Sequence, residues 1–79
     1  MNMNEIILDI LAELTGTEEV RNDPEIDLFG EGLLDSIGAV EFLIELEARL
    51  EISVPPSEFD RALWGTPRHI LEQVELRTK

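Results

Sequence analysis

Seventy-nine residues without a cysteine give one small domain near the lower limit for a self-sufficient hydrophobic core, with no disulfide or thiolate metal site to brace it. Eighteen acidic residues against six basic ones set the formal net charge at -12, spread along the chain, which excludes a nucleic-acid partner and points to partners bearing basic patches. A hydrophobic fraction of 43% argues against disorder, no apolar run reaches a membrane span, and the N-terminus lacks the basic region of a signal peptide, so a soluble, cytoplasmic monomer is expected.

Ile6, Ile7, Ile10, Leu11 and Leu14 recur at three- and four-residue spacing, with Glu5, Asp9 and Glu13 on another face, which predicts an amphipathic helix. Asn2 or Asn4 can cap its start, and Gly16 stops it. From Thr17 to Asp35 no period is sustained, and Pro24, Gly30 and Gly32 interrupt the chain. The apolar residues Val20, Ile26, Leu28, Phe29, Leu33 and Leu34 nevertheless predict a long ordered loop that packs down, with a helical turn near Glu18 to Arg21.

A second helix is predicted from about Ser36 to Leu50. Val40, Leu43, Ile44, Leu46 and Leu50 supply its core stripe, and Glu41, Glu45 and Arg49 form a polar row at i, i+4 spacing. Gly38 in its first turn costs on the order of 1 kcal/mol relative to alanine, which reflects either tolerance near a helix end or a close approach beside Ser36. Ile52-Ser53-Val54-Pro55-Pro56 alternates like a strand, but it has no second strand to pair with and two prolines, so it reads as an extended connector. Ser57 and Asp60 form a capping pattern for a short helix through Leu63. Thr66-Pro67 opens the last helix, whose inner face is Ile70, Leu71 and Val74 and whose end suits Arg77 and Lys79. The fold is therefore read as all-α, three main helices plus one short helix, in a single domain over residues 1–79.

Chemistry is scarce in this composition. Reading Asp23, Glu25 and Asp27 as a calcium loop puts Leu28 where glycine is needed and Leu34 where the bidentate glutamate belongs, so the match fails. His69 is the single histidine; it can build no histidine metal cluster and reads as a surface or half-buried residue. A nucleophilic serine would need a base and an orienting group that the chain does not offer nearby. No catalytic residue and no metal site are expected.

Ser36 is the residue of interest. It lies where a polar, turn-rich loop meets a helix, and the unpaired N–H groups and dipole of such a terminus favour an anion. A serine there can cap the helix and do nothing more, or it can carry a phosphodiester. The segment Asp27-Leu28-Phe29 followed by Gly32-Leu33-Leu34-Asp35-Ser36, then an apolar helix with an acidic face, resembles phosphopantetheine carrier proteins around their attachment serine. Further on, Val54-Pro55, then Ser57-Glu58-Phe59-Asp60-Arg61, Trp64 and Thr66-Pro67 resemble the D-alanyl carrier proteins of the teichoic-acid D-alanylation pathway, and Gly38 fits that subgroup. Ile37 departs from it, standing where many carriers have leucine and this subgroup often has methionine; the swap keeps an apolar side chain of similar size.

The resemblance implies a small acyl-carrier-like helical bundle with 4'-phosphopantetheine attached to Ser36 and Asp35 in support, either by hydrogen-bonding the first-turn amides and fixing the loop-to-helix geometry or by acting directly on the transferase's metal-bound reactants. It implies three partners: a phosphopantetheinyl transferase, an ATP-using D-alanine ligase that loads the thiol, and membrane machinery that passes D-alanine to teichoic acid. The carrier itself would catalyse nothing. Beside it, the residues suggest partner contacts: Leu34, Ile37 and Val40 as an apolar docking spot, with Val40 equally suited to the core, and Glu41 and Glu45 as an acidic row for basic partners. Phe59, Leu63 and Trp64 read as core beneath the short helix, with Trp64 also able to leave an edge open to a partner. Arg61 is expected in an intramolecular ion pair. A fatty-acyl or peptidyl carrier shares the mechanism with another cargo, and an acidic helical adaptor whose Ser36 is only a cap is the alternative of a different class.

Overall fold

The computed structural model of the chain describes residues 2–78, Arg61 through its backbone alone. Helices α1 (Met3–Thr15), α3 (Ser36–Leu50) and α5 (Pro67–Thr78) are the long ones, joined by the short α2 (Glu19–Asn22), a 3-10 turn (Pro56–Glu58) and the short α4 (Arg61–Trp64). No strand occurs among the described residues.

Each long helix is bounded by local chemistry. Asn2 caps α1 by accepting the Glu5 N–H at 2.8 Å, and Gly16 ends it at φ 74°, a left-handed conformation that glycine adopts without a Cβ penalty. Ile7, Ile10 and Leu11 are fully buried against α3, which α1 packs against most, with α2 and α5 flanking. Thr66 caps α5 by accepting the His69 N–H at 3.1 Å, and Ile70 and Val74 are its buried face. His69 is half-buried.

The loop at 23–35 is held by one backbone hub. The Leu28 N–H donates to the Gly65 carbonyl at 2.8 Å, and the Leu28 carbonyl accepts from both Leu33 and Leu34 at 2.9 Å. The Leu28 side chain is itself fully buried, so this bonding is shielded from water. At the other end the Arg68 N–H donates to the Pro24 carbonyl at 3.0 Å. A radius of gyration of 11.2 Å matches the ~11.6 Å of a compact chain of this length, as a loop lying on the core requires.

Four expectations change. The inner face of α3 is Ala39, Phe42, Leu43 and Leu46, whereas Val40 is 42% and Ile44 58% exposed. At about 100° per residue, Ile37, Val40 and Ile44 form a second apolar stripe roughly 140° around the helix from the first. Ser57 does not cap the short helix; it lies inside the 3-10 turn, and Asp60 caps α4 by accepting the Leu63 N–H at 2.9 Å. Leu63 is largely exposed rather than core. The connector at 51–55 is extended as expected, but it ends in that 3-10 turn, so two short α-helices and one turn join the three long helices.

Four arginines tie elements together. Arg21 joins Asp9 of α1 and Glu18, Arg49 joins Glu13 of α1 at 2.9 Å and Glu45 at 2.8 Å, Arg68 joins Glu25 at 2.6 Å, and Arg77 joins Glu58 at 2.8 Å. The Asp9 hydrogen bond holds the Arg21 guanidinium above the ordinary arginine range, and the Glu13 hydrogen bond does so for Arg49. The ion pair expected of Arg61 and the helix-end role expected of Lys79 lie outside the described residues.

Candidate functional site

Asp35, not Ser36, caps α3. Its backbone is extended (φ -128°, ψ -170°), and its Oδ1 accepts the Gly38 N–H at 2.7 Å, while its carbonyl accepts the Ala39 N–H at 2.9 Å. Ser36 is thereby the first helical residue. Its hydroxyl makes no hydrogen bond among the described residues, and the residue is exposed. The N–H groups of Ser36 and Ile37 precede the first intrahelical bond and likewise donate to no described residue.

Gly38 has a local cause. A Cβ there would stand 3.2 Å from Leu34 Cδ2 and 3.4 Å from Asp35 Oδ1. The first contact is tighter than packing normally allows, and Leu34 is 4% exposed and cannot move aside freely. The glycine therefore makes room for the cap and the core beneath it, and no visiting molecule need be invoked.

Beside Ser36 a surface groove of about 560 Å³ runs between α3 and the segment following it. Asp35, Ser36, Ala39, Val40 and Leu43 line one side, Pro56, Phe59 and Asp60 the other, with Phe29 from the long loop. That volume falls within the range of small-molecule sites. Two of the four aromatic residues, Phe29 and Phe59, line the groove, and Phe42 and Trp64 are buried next to Phe59. Phe59 stacks on Trp64 (centroids 5.0 Å, 28°) and meets Phe29 and Phe42 at 6.1 Å each. Sequence reasoning missed Phe29, Pro56, Phe59 and Asp60 as neighbours of Ser36. The signal was the Ser57-to-Arg61 motif, but only the tertiary fold brings that motif to the helix start.

The anticipated partner residues divide. Ile37 is 70% exposed, and Val40 and Glu41 are exposed on the same side of α3. Leu34 and Trp64 are not surface residues: Leu34 is buried under Gly38, and Trp64 is 0% exposed beneath Phe59. Both have a core to fill, and a bundle of this size has few large apolar side chains to fill it with. Glu45 is half-buried and bonded to Arg49, so its charge is partly compensated, whereas Glu41 has no ion pair among the described residues. No group of three or more metal-ligating side chains occurs among the described residues.

The arrangement offers an unengaged hydroxyl at an anion-tolerant helix start, at the mouth of a groove with an apolar floor. Residues 5–74 match the family described as "Phosphopantetheine attachment site". A D-alanyl carrier protein of Enterococcus faecalis is 55% identical over 75 residues, covering 95% of this chain and 96% of that protein. One of Listeria innocua is 53% identical over 75 residues with the same coverage, and one of Bacillus subtilis 46% over 74 residues, covering 94% and 95%.

Proposed function

The chain belongs to the phosphopantetheine-attachment family that includes the D-alanyl carrier proteins, and on that footing we propose that Ser36 is its attachment residue and D-alanine its cargo. Residues 1–79 act as one non-catalytic carrier domain. When bound, 4'-phosphopantetheine supplies a terminal thiol on which an acyl group is held as a thioester. The partners are a phosphopantetheinyl transferase, a D-alanine ligase and membrane machinery that takes the alanyl group for teichoic-acid D-alanylation. No helix among the described residues is long and apolar enough to cross a membrane.

The observation that carries this reading is the division of labour between Asp35 and Ser36. Asp35 caps α3 through the Gly38 N–H, so the Ser36 hydroxyl is left without a structural task. The unpaired Ser36 and Ile37 N–H groups and the helix dipole offset the charge of a phosphodiester on Ser36. Asp35 brings a like charge near it, but that carboxylate is held by the Gly38 N–H. The exposed Ile37, Val40 and Glu41 give partner enzymes an apolar and acidic face next to the serine.

The test is an intact-mass series. With coenzyme A, magnesium and a permissive transferase, the chain gains one phosphopantetheine; with the ligase, ATP and D-alanine, the product gains one alanyl group that hydroxylamine removes. L-alanine and a medium-chain fatty acid are run in parallel. A first gain without the D-alanyl gain, or preferential loading of the fatty acid, overturns the cargo assignment. No first gain, with a transferase active on another carrier, overturns the carrier reading.

A further inference from the structure

We infer that Arg77, in the last turn of α5, is a positioning residue that holds the groove wall opposite Ser36. The segment at 53–60 forms that wall and contains no α-helix. Its backbone bonds are local: Glu58 N–H to the Pro55 carbonyl at 2.9 Å, Phe59 N–H to Pro56 at 3.1 Å, and a link into α4 from the Trp64 N–H to Asp60 at 2.9 Å. Among the described residues, one hydrogen bond connects this segment to the chain beyond α4, from Arg77 Nη2 to Glu58 Oε1 at 2.8 Å. The same guanidinium lies 5.6 Å from the Trp64 ring centroid. Trp64 in turn stacks on Phe59, whose side chain lines the groove.

One planar cation thus engages the wall by its charge and by its face, a pairing that lysine cannot reproduce. An isolated surface ion pair contributes little. This one is different in its second partner, because the indole is fully buried and its Nε1–H finds no acceptor among the described residues. Trp64 is therefore held through its ring faces and not through its polar atom. Loss of Arg77 removes the polar tether and one of those face contacts together, while α1 and α3 keep their own packing. The wall then samples positions that obstruct an enzyme docking at Ser36. This rests on the Ser36 reading for its consequence, but not for its structural part.

The test uses the full chain with Arg77→Gln, Arg77→Lys and Glu58→Gln. Native-state hydrogen exchange reads the amides of Glu58, Phe59, Leu63 and Trp64 against those inside α1 and α3, and transferase kinetics read KM and kcat for the chain with coenzyme A saturating. For Arg77→Gln these four amides, two in the wall and two in the adjoining α4, exchange about tenfold faster with α1 and α3 unchanged, and KM rises roughly three- to tenfold at constant kcat. Arg77→Lys falls between Arg77→Gln and the parent in both. Uniform acceleration across α1 and α3, or none, overturns the inference, as does local acceleration with unchanged KM. Failure of the parent chain to accept the group at all would defeat the Ser36 reading instead, and the exchange data alone would then judge the tether.

Discussion

Asp35 takes the cap of α3, which leaves the Ser36 hydroxyl free for the proposed attachment. Because the cap is the carboxylate, the two residues should separate in energy. Asp35→Ala loses the bond to Gly38 and is expected to cost ~1 kcal/mol, a fall in Tm of roughly 4–8 °C for a chain of this size. Ser36→Ala removes a hydroxyl with no described partner and should stay within ~0.5 kcal/mol of the parent in urea unfolding. The reverse order would return the capping role to Ser36. Gly38→Ala ordinarily gains ~1 kcal/mol in a helix, but here the new methyl meets Leu34 and the cap carboxylate. No net stabilisation is expected, and a full gain in the urea midpoint would show that Leu34 yields easily. The motif around Ser36 singles it out in the sequence as the proposed attachment residue. The bond from the first turn to Asp35 was expected as one option, but Asp35 and Ser36 are both good caps and only backbone geometry decides between them.

On α3, the two apolar stripes make the largest difference between expectation and outcome. The length and ends of the helix followed from periodicity and a polar start, but its inner face did not. Counting Val40 and Ile44 inward hid Phe42, because both stripes satisfy three- and four-residue spacing and only the packing partners choose between them. Substitution should separate the faces. Phe42→Ala empties a fully buried site and is expected to cost ~3–5 kcal/mol, a large share of the ~4–12 kcal/mol available to a domain of this length. Val40→Ser and Ile44→Ser should change stability by less than ~0.5 kcal/mol, as read by urea unfolding. If Val40→Ser proved as costly as Phe42→Ala, the outer stripe would belong to the core. The long loop shows the opposite case. Its apolar content announced that it packs, yet Leu28 as the hub that bonds Gly65, Leu33 and Leu34 depends on a contact across 37 positions of the chain that no local pattern encodes.

For the molecule as a whole, an imbalance of -12 is carried by a body only 29 Å in its longest dimension. At about 10 mM salt the Debye length is ~30 Å, so nearly every charge feels every other. At 0.15 M it is ~8 Å, which screens the general repulsion while leaving ion pairs of 2.6–2.9 Å mostly intact. Thermal melts should therefore rise by several degrees between those two salt concentrations. A fall would mean that the arginine pairs outweigh the repulsion. The same surplus of acid leaves the face around Ile37 and Glu41 negative, which suits the proposed docking of basic partners. The central claim is that one hydroxyl among the three serines, Ser36, Ser53 and Ser57, receives the prosthetic group. Peptide mapping by tandem mass spectrometry after transferase treatment tests it most directly. The group is expected on the peptide containing Ser36, with fragments that localise it to that side chain and with none on Ser53 or Ser57. Modification at either of those serines, or retention of the full mass gain by Ser36→Ala, would contradict the account.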